Sequence, residues 1–241
     1  MYMDTKKINK GNVKMIAHRG LSGIEPENTV AAFIAAGNRS YFGIETDVHV
    51  TSDGKYVILH DDWTERVFNR NINVETSTFD ELRSLTLNDR HGGAFRSDAK
   101  IPELGEYISV CKKYGKKAIL ELKMPMAKEH VAGVLEVVRE YGYLDQVIFI
   151  SFYPDNLIHL REVLPDQPAQ FLAGQLYDNL LEKLTEMKVD LDIAYTFLTE
   201  EMIAEYHSRG LKVNCWTVDN PEDAERLARW GVDFITTDIL E

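Results

Sequence analysis

Acidic residues lie near the ends of two predicted β-strands, where their side chains could converge. Alternation with period two places Glu45 and Asp47 on one face of a strand predicted over residues 43–50. The same alternation places Glu121 near the end of a strand predicted over residues 117–123. Carboxylate oxygens are the preferred ligands of Mg²⁺ and Ca²⁺, and the chain has no cluster of cysteines that would favour zinc. We therefore predict that Glu45, Asp47 and Glu121 bind one divalent cation, Mg²⁺ or Ca²⁺.

Two basic residues allow a second interpretation of these acids. Arg19 follows the first predicted strand, and Lys123 ends the third. A carboxylate that points into a barrel is costly unless a cation meets it, and either basic side chain could be that cation. From the spacing alone, the acids could form a metal site or a structural salt-bridge network.

Two histidines and a tryptophan also lie at predicted strand ends. His18 ends the strand predicted over residues 13–18, and His60 follows a short strand predicted over residues 56–59. Histidine titrates near neutral pH, so His18 and His60 are predicted as an acid and base pair. Trp216, near the end of the seventh predicted strand, could stack against a ligand or pack in the core.

Short apolar runs alternate with amphipathic, helix-like segments along nearly the whole chain. Eight of these runs are predicted as strands, over residues 13–18, 43–50, 117–123, 147–152, 169–174, 191–194, 211–217 and 232–237. Asn28 and Asn220 are predicted to begin two of the helices. Eight strand and helix units in 241 residues match a TIM (β/α)8 barrel, an α/β fold whose strands end at a common mouth. A doubly wound open sheet is the alternative.

One connection is longer than the others, between about residues 55 and 100. It contains the extra strand at residues 56–59, a turn near Asn71 and a capping box from Thr78 to Glu81 that predicts a short helix. We predict one barrel domain over residues 1–241, with an insertion at about 55–100. Long excursions of this kind usually border a functional site.

The composition excludes several classes of protein and partner. Lys and Arg number 27 against 39 for Asp and Glu, and the net charge of −12 argues against binding to nucleic acid or to anionic membranes. The longest apolar run, Val30–Ala36, has seven residues, too short to span a membrane. The first 13 residues lack the apolar stretch of a secretory signal, so a cytoplasmic location is expected, without stable membrane association. Cys111 and Cys215 are predicted to be packed as small apolar residues.

Taken together, these residues resemble the glycerophosphodiester phosphodiesterase family. The resemblance extends from Ile16 to Asp238 and consists of short motifs in a specific order. They are His18-Arg19-Gly20, Pro26-Glu27-Asn28-Thr29, Glu45-Thr46-Asp47-Val48-His49-Val50-Thr51 with Asp53-Gly54, His60-Asp61 with Arg66, Ile101-Pro102, Glu121-Leu122-Lys123, Ser151-Phe152, Trp216-Thr217-Val218, and Gly231-Val232-Asp233 with Thr237-Asp238.

This resemblance implies a TIM barrel with a small insertion after the second strand. It implies metal-dependent hydrolysis of a glycerophosphodiester to glycerol 3-phosphate and an alcohol, with the cation on the three acids. His18 would be the base and His60 the acid. Arg19 and Lys123 would contact the phosphate, and Trp216 would be the aromatic residue of the substrate site. The nucleophile would be either water or a glycerol hydroxyl group.

Two other functions stay open at this stage. Lysophospholipase D-type activity on lysophospholipids would favour an exposed apolar surface or a membrane anchor near the mouth, and none is apparent in the sequence. A barrel that binds a ligand without turnover would favour the loss of a histidine or of a ligand carboxylate, and none is lost. The expected partner is a small-molecule phosphodiester, and the sequence does not predict an oligomeric state.

Overall fold

The structure, a computed structural model, describes residues 4–88 and 99–241 and contains nine β-strands in these ranges. The strands are β1 (Lys14–Ala17), β2 (Gly43–Val50), β3 (Tyr56–Ile58), β4 (Lys117–Leu122), β5 (Val147–Ser151), β6 (Ala169–Ala173), β7 (Asp190–Ala194), β8 (Val213–Trp216) and β9 (Phe234–Thr237). The eight strands other than β3 correspond to the eight predicted runs, with ends that differ by up to two residues.

These eight strands close into a parallel barrel. Their order around the barrel is β1, β9, β8, β7, β6, β5, β4 and β2, and β1 pairs with β2 to complete the ring. Strand β3 is antiparallel to β2 and lies outside the ring. The TIM barrel is therefore confirmed, and the open doubly wound sheet is excluded because the first and last members of the ring are hydrogen-bonded.

Helices follow the first seven barrel strands and pack around the ring. The described helices are α1 (Val30–Gly37), α2 (Phe79–Arg83), α3 (Leu104–Tyr114), α4 (Lys128–Glu140), α5 (Pro154–Val163), α6 (Leu180–Met187), α7 (Glu200–Ser208) and α8 (Pro221–Trp230). The N-cap predicted at Asn220 is confirmed, since its side chain accepts two backbone N–H groups of α8. The start predicted at Asn28 is wrong by one residue, because Thr29 is the N-cap of α1.

The barrel interior contains a small apolar layer, separate from the larger core between strands and helices. One buried side chain from each of five strands forms this layer: Ile16, Ile119, Ile150, Leu172 and Phe234. It gives the barrel a filled base, so the functional groups farther along the strands lie at the mouth. Cys111 and Cys215 are both buried and unpaired, as predicted.

The insertion after β2 has an apolar core of its own. Its buried side chains, from Val57 to Ile101, form a cluster distinct from the main core. Helix α2 begins with the predicted capping box, in which Thr78 and Glu81 each bind the other's backbone N–H. Residues 89–98 of the predicted insertion lie outside the described residues. This core holds the segment that follows β3 against the barrel mouth.

Candidate active site

Three buried carboxylates converge near the carboxyl ends of β2 and β4. Asp47 and Glu121 are direct neighbours in the register of the two strands, and Glu45 is two residues earlier on the same face of β2. Each of the three offers an oxygen atom, and these atoms all lie within 4.8 Å of one another. All three residues are at most 5% exposed. The structure thus brings together the three acids that the sequence predicted as metal ligands.

The electrostatics of this acidic cluster favour one negative charge in the absence of a cation. Burial raises the pKa of Glu45 well above its ordinary value, and the charge of Asp47 raises it further. Burial, followed by the charge of Asp47, raises the pKa of Glu121 to about 8. Burial alone would also raise the pKa of Asp47, but Lys123 and neighbouring positive groups outweigh it and lower that pKa. The protein therefore holds negative charge chiefly on Asp47.

The acidic cluster fits a hard divalent cation. Oδ1 of Asp47 and Oε1 of Glu121 are buried and accept no hydrogen bond. The nearest positive group to both is Nζ of Lys123, at 3.4 Å from Asp47 and 3.3 Å from Glu121. Buried acceptors without hydrogen bonds are costly, whereas clustered carboxylate oxygens are typical ligands of Mg²⁺ and Ca²⁺. The salt-bridge interpretation accounts for Lys123 but leaves these two oxygens without a hydrogen bond.

His18 lies at the mouth just after β1 and is oriented by a carboxylate from the opposite end of the chain. Its Nδ1 is 2.7 Å from Oδ1 of Asp238, which also accepts the hydroxyl of Ser22 at 2.8 Å. Burial alone would raise the pKa of Asp238, but its hydrogen bond with His18 contributes to lowering it. An ionised Asp238 accepts the Nδ1 proton, so the other ring nitrogen, Nε2, is available to the pocket that His18 lines.

His60 is oriented in the same way, at the start of a chain of charged groups. Its Nδ1 is 2.7 Å from Oδ1 of Asp61, and the other oxygen of Asp61 accepts from Nε of Arg66. Arg66 donates two hydrogen bonds of 2.7 Å to Glu27, which also accepts from Arg19 at 2.8 Å. Burial alone would raise the pKa of Glu27, but the two arginines lower it to about 2. The insertion thereby fixes the orientation of His60.

The pKa of His60 lies below its ordinary value. Burial is the main cause, and the positive charges of Lys123 and Arg19 act in the same direction, against the opposing effect of Asp47. In the free site His60 is therefore more readily neutral than an exposed histidine.

Backbone conformation explains the position of two further polar groups. Arg19 and Asn28 both have positive φ, 53° and 54°. The backbone N–H of Arg19 donates to Glu45 at 2.7 Å, and Nδ2 of Asn28 donates to Asp47 at 2.8 Å. Asn28 in turn accepts the hydroxyl of Thr46 at 2.7 Å. The residue predicted as a helix N-cap therefore orients a member of the acidic cluster instead.

These groups surround a small pocket of about 150 Å³ at the barrel mouth. Its walls include all the predicted site residues except Asp47: His18, Arg19, Glu45, His60, Glu121, Lys123 and Trp216. Trp216 is partly buried and packs edge-to-face on Phe152, with ring centroids 5.8 Å apart. The small pocket adjoins an outer groove of about 570 Å³, which shares His60, Glu121, Lys123 and Phe152 with it.

Sequence reasoning missed the residues that orient the predicted ones. Asp238, Asp61, Glu27 and Arg66 are parts of the motifs but have no predicted role, and Asn28 is predicted only as a helix start. The available signal was that these residues lie in the short motifs that carry the family resemblance. Which residue contacts which could not be inferred from spacing, because His18 and Asp238 are 220 residues apart.

The fold is a TIM barrel, and its mouth brings together the acidic cluster and two histidines that are each bound to a carboxylate. The model of the glycerophosphoryl diester phosphodiesterase family matches residues 18–241, so the chain belongs to this family.

Individual relatives agree with this assignment. A glycerophosphodiester phosphodiesterase of Caldanaerobacter subterraneus is 32% identical, with 93% of each chain covered. The YhdW protein of Bacillus subtilis is 33% identical, also with 93% of each chain covered. A solved phosphodiesterase of Oleispira antarctica, in complex with the product sn-glycerol-3-phosphate, has 27% identity and a TM-score of 0.86, covering 97% of this chain and 96% of that one.

Proposed function

We propose that this protein hydrolyses glycerophosphodiesters to glycerol 3-phosphate and an alcohol. The observation that carries the proposal is one pocket lined by two carboxylate-bound histidines and by members of the acidic cluster. The Oleispira antarctica structure, with its bound product, supports the same assignment. Release of glycerol 3-phosphate from several glycerophosphodiesters, with and without a chelator, tests the activity directly.

Glu45, Asp47 and Glu121 would hold one divalent cation, Mg²⁺ or Ca²⁺. Such a cation neutralises phosphoryl oxygens and stabilises the charge of the transition state. The chain's own cations, Arg19 and Lys123, line the pocket and attract the phosphodiester anion despite the net charge of −12. Binding of the phosphodiester substrate therefore depends on positive charge concentrated at the mouth of an acidic protein.

The two histidines transfer protons through Nε2, because Nδ1 of each ring is bound to an aspartate. His18 is assigned as the base that takes a proton from the nucleophile, which is water or a glycerol hydroxyl group. His60 is assigned as the acid that protonates the departing alkoxide. His60 must therefore be protonated when substrate is bound, and a phosphodiester anion beside it favours that form over the neutral one of the free site.

Lys123→Ala and Arg19→Ala should each lower kcat/KM on glycerophosphodiesters by about 10- to 100-fold, the loss expected for a hydrogen bond to a charged group. The cation on the acidic cluster should still bind. Lys128→Ala is the matched control, since Lys128 forms an exposed ion pair with Glu162 on the outer helices. If Lys123 and Arg19 serve only as structural partners of the acids, the melting temperature will fall while the rate per folded molecule stays unchanged.

We propose a single barrel domain over residues 1–241, a cytoplasmic location and small-molecule partners without nucleic acid. Two buried, unpaired cysteines are consistent with a reducing compartment. Among the described residues, the helices are too short or too polar to cross a bilayer.

A second candidate function, action on lysophospholipids, is favoured by a specific feature of the mouth. Among the residues that the structure describes, six of the eight exposed large apolar side chains lie in segments that follow strand carboxyl ends: Trp63, Phe152, Tyr153, Leu176, Tyr177 and Phe197. We call these six residues the apolar rim. Trp63, Phe152 and Tyr153 line the outer groove directly. The sequence does not predict such a surface, because the six residues occur singly or in adjacent pairs that are spread over 135 positions.

The double variant Trp63→Ser/Tyr153→Ser separates the two substrates. If the apolar rim contacts an acyl chain, hydrolysis of a micellar lysophospholipid should fall about 10-fold or more, since burial of one aromatic side chain contributes about 1.5–3 kcal/mol. Activity on a water-soluble glycerophosphodiester should persist. Ile158→Ser, at an equally exposed apolar residue on α5, is the control. If the wild-type protein does not hydrolyse lysophospholipid, the second candidate function is excluded.

A further inference from the structure

One buried acid in the small pocket has no place in the chemistry described so far. Asp192 lies on β7, is 1% exposed, and lines the small pocket together with Trp216 and Thr236. Its Oδ1 accepts no hydrogen bond. Among residues 4–88 and 99–241, no Lys or Arg nitrogen lies within 4 Å of it, so Asp192 is not part of a structural ion pair there.

Asp192 belongs to a polar patch on one half of the barrel interior. In the strand register it neighbours Asn214 of β8. Asn214 donates to Gln170 of β6 at 3.0 Å and accepts the hydroxyl of Thr236 of β9 at 3.3 Å. Four adjoining strands therefore each contribute one buried polar side chain, and among these four side chains only Asp192 has an oxygen without a hydrogen-bond partner.

The neighbouring strand β8 contributes a complementary group, two residues beyond Asn214. Nε1 of Trp216 is buried and donates no hydrogen bond. A buried acceptor and a buried donor without partners, in one cavity of about 150 Å³, are both costly unless a ligand satisfies them. A hydroxyl group can do so, because its O–H donates to an acceptor while its oxygen accepts from a donor.

We propose that Asp192, together with Nε1 of Trp216, binds a hydroxyl group of the glycerol moiety of the substrate. This proposal rests on the function proposed above and assigns the glycerol end of the substrate to the small pocket. The alcohol end then extends into the outer groove, which is larger and more open to solvent. Asp192 is a specificity residue in this assignment, since it recognises the polyol and takes no part in proton transfer.

Neutrality of Asp192 makes the assignment compatible with an anionic substrate. Burial raises the pKa of Asp192 well above its ordinary value, and a hydrogen bond with Asn214 offsets only part of that effect. A neutral carboxyl group can bind a hydroxyl without repelling the neighbouring phosphate.

Binding of two phosphates, measured by calorimetry on the intact protein in the presence of Mg²⁺ or Ca²⁺, tests the proposal. Glycerol 3-phosphate carries the polyol, and methyl phosphate lacks it. Asp192→Leu should weaken binding of glycerol 3-phosphate about 10-fold, the loss expected for one hydrogen bond, and should leave binding of methyl phosphate unchanged. Asp192→Asn, which keeps an acceptor and a donor, should restore most of the affinity. Asp190→Asn, on the same strand but at its other end, is the matched control.

The melting temperature distinguishes recognition from a structural role. Asp192→Leu replaces a buried carboxyl group, whose Oδ1 accepts no hydrogen bond, by an apolar group of similar size, so its melting temperature should stay unchanged or rise. An equal loss of affinity for both phosphates, together with a lower melting temperature, would overturn the proposal. Unchanged affinity for glycerol 3-phosphate in Asp192→Leu would do the same. If the Leu variant does not fold, Asp192→Ala carries the same expectation.

The proposed function has a separate readout, so the two can fail independently. If the wild-type protein releases glycerol 3-phosphate from glycerophosphodiesters while Asp192→Leu binds this product normally, the inference about Asp192 fails and the proposed function stands. If the wild-type protein releases no glycerol 3-phosphate, the proposed function fails. The inference about glycerol recognition then fails with it.

Discussion

Removal of divalent cations by a chelator should lower the turnover of glycerophosphodiesters by at least about 10³-fold, because a metal ion contributes several kcal/mol of charge stabilisation to phosphoryl transfer. Asp47→Asn should cause a loss of similar size. The reason is geometric: Asp47, Glu45 and Glu121 each offer one oxygen atom, and these three atoms all lie within 4.8 Å of one another. Its replacement removes the ligand that holds most of the negative charge.

A second readout makes the cation assignment independent of activity. Added Mg²⁺ or Ca²⁺ should raise the melting temperature of the wild-type protein, since a ligand that binds the folded state stabilises it. Asp47→Asn should abolish that rise, whereas Asp166→Asn, in the exposed loop before β6, should preserve it. The variant itself should fold, because the apolar layer beneath the site is unchanged. Full activity after exhaustive chelation would refute the metal site.

The two histidines should respond differently to the quality of the leaving group. His60→Ala should lose about 10²–10⁴ in rate on a glycerophosphodiester of an ordinary alcohol, whose alkoxide needs a proton to leave. The loss should be much smaller on the 4-nitrophenyl diester of glycerol 3-phosphate, whose phenolate leaves unaided. His18→Ala, which removes the base, should lose comparable activity on both substrates.

This pair of substrates differs only in the leaving group, so binding of the glycerol end is held constant. His130→Ala, at an exposed histidine of α4, is the control for the loss of an imidazole elsewhere. The reverse pattern, with His18→Ala sensitive to the leaving group, would exchange the two roles. That exchange would also agree with the lowered pKa of His60, since a neutral imidazole is the form required of a base. Equal losses on both substrates for both variants would contradict the acid and base division.

The sequence by itself determined the architecture and the main chemical groups. Alternation of short apolar runs with amphipathic segments predicted the barrel, because the runs indicate strands buried on both faces and the amphipathic segments indicate helices with one buried face. Successive side chains of a β-strand point to opposite faces, so the local geometry of β2 alone places Glu45 and Asp47 on the same face. Parallel barrel strands then bring their carboxyl ends to one mouth, so His18 and Lys123 could be assigned to the same site.

Only the tertiary structure decided how these groups are oriented and what surrounds them. The partner of His18 is Asp238, 220 residues away, and the orientation of His60 depends on a chain of ion pairs through Arg66 and Glu27. Such contacts depend on barrel closure and on how the insertion packs, which spacing along the chain does not encode. The unpartnered oxygen of Asp192 and the apolar rim could not be predicted from spacing along the chain either. Both depend on which neighbours are near in space, and that is set by the fold as a whole.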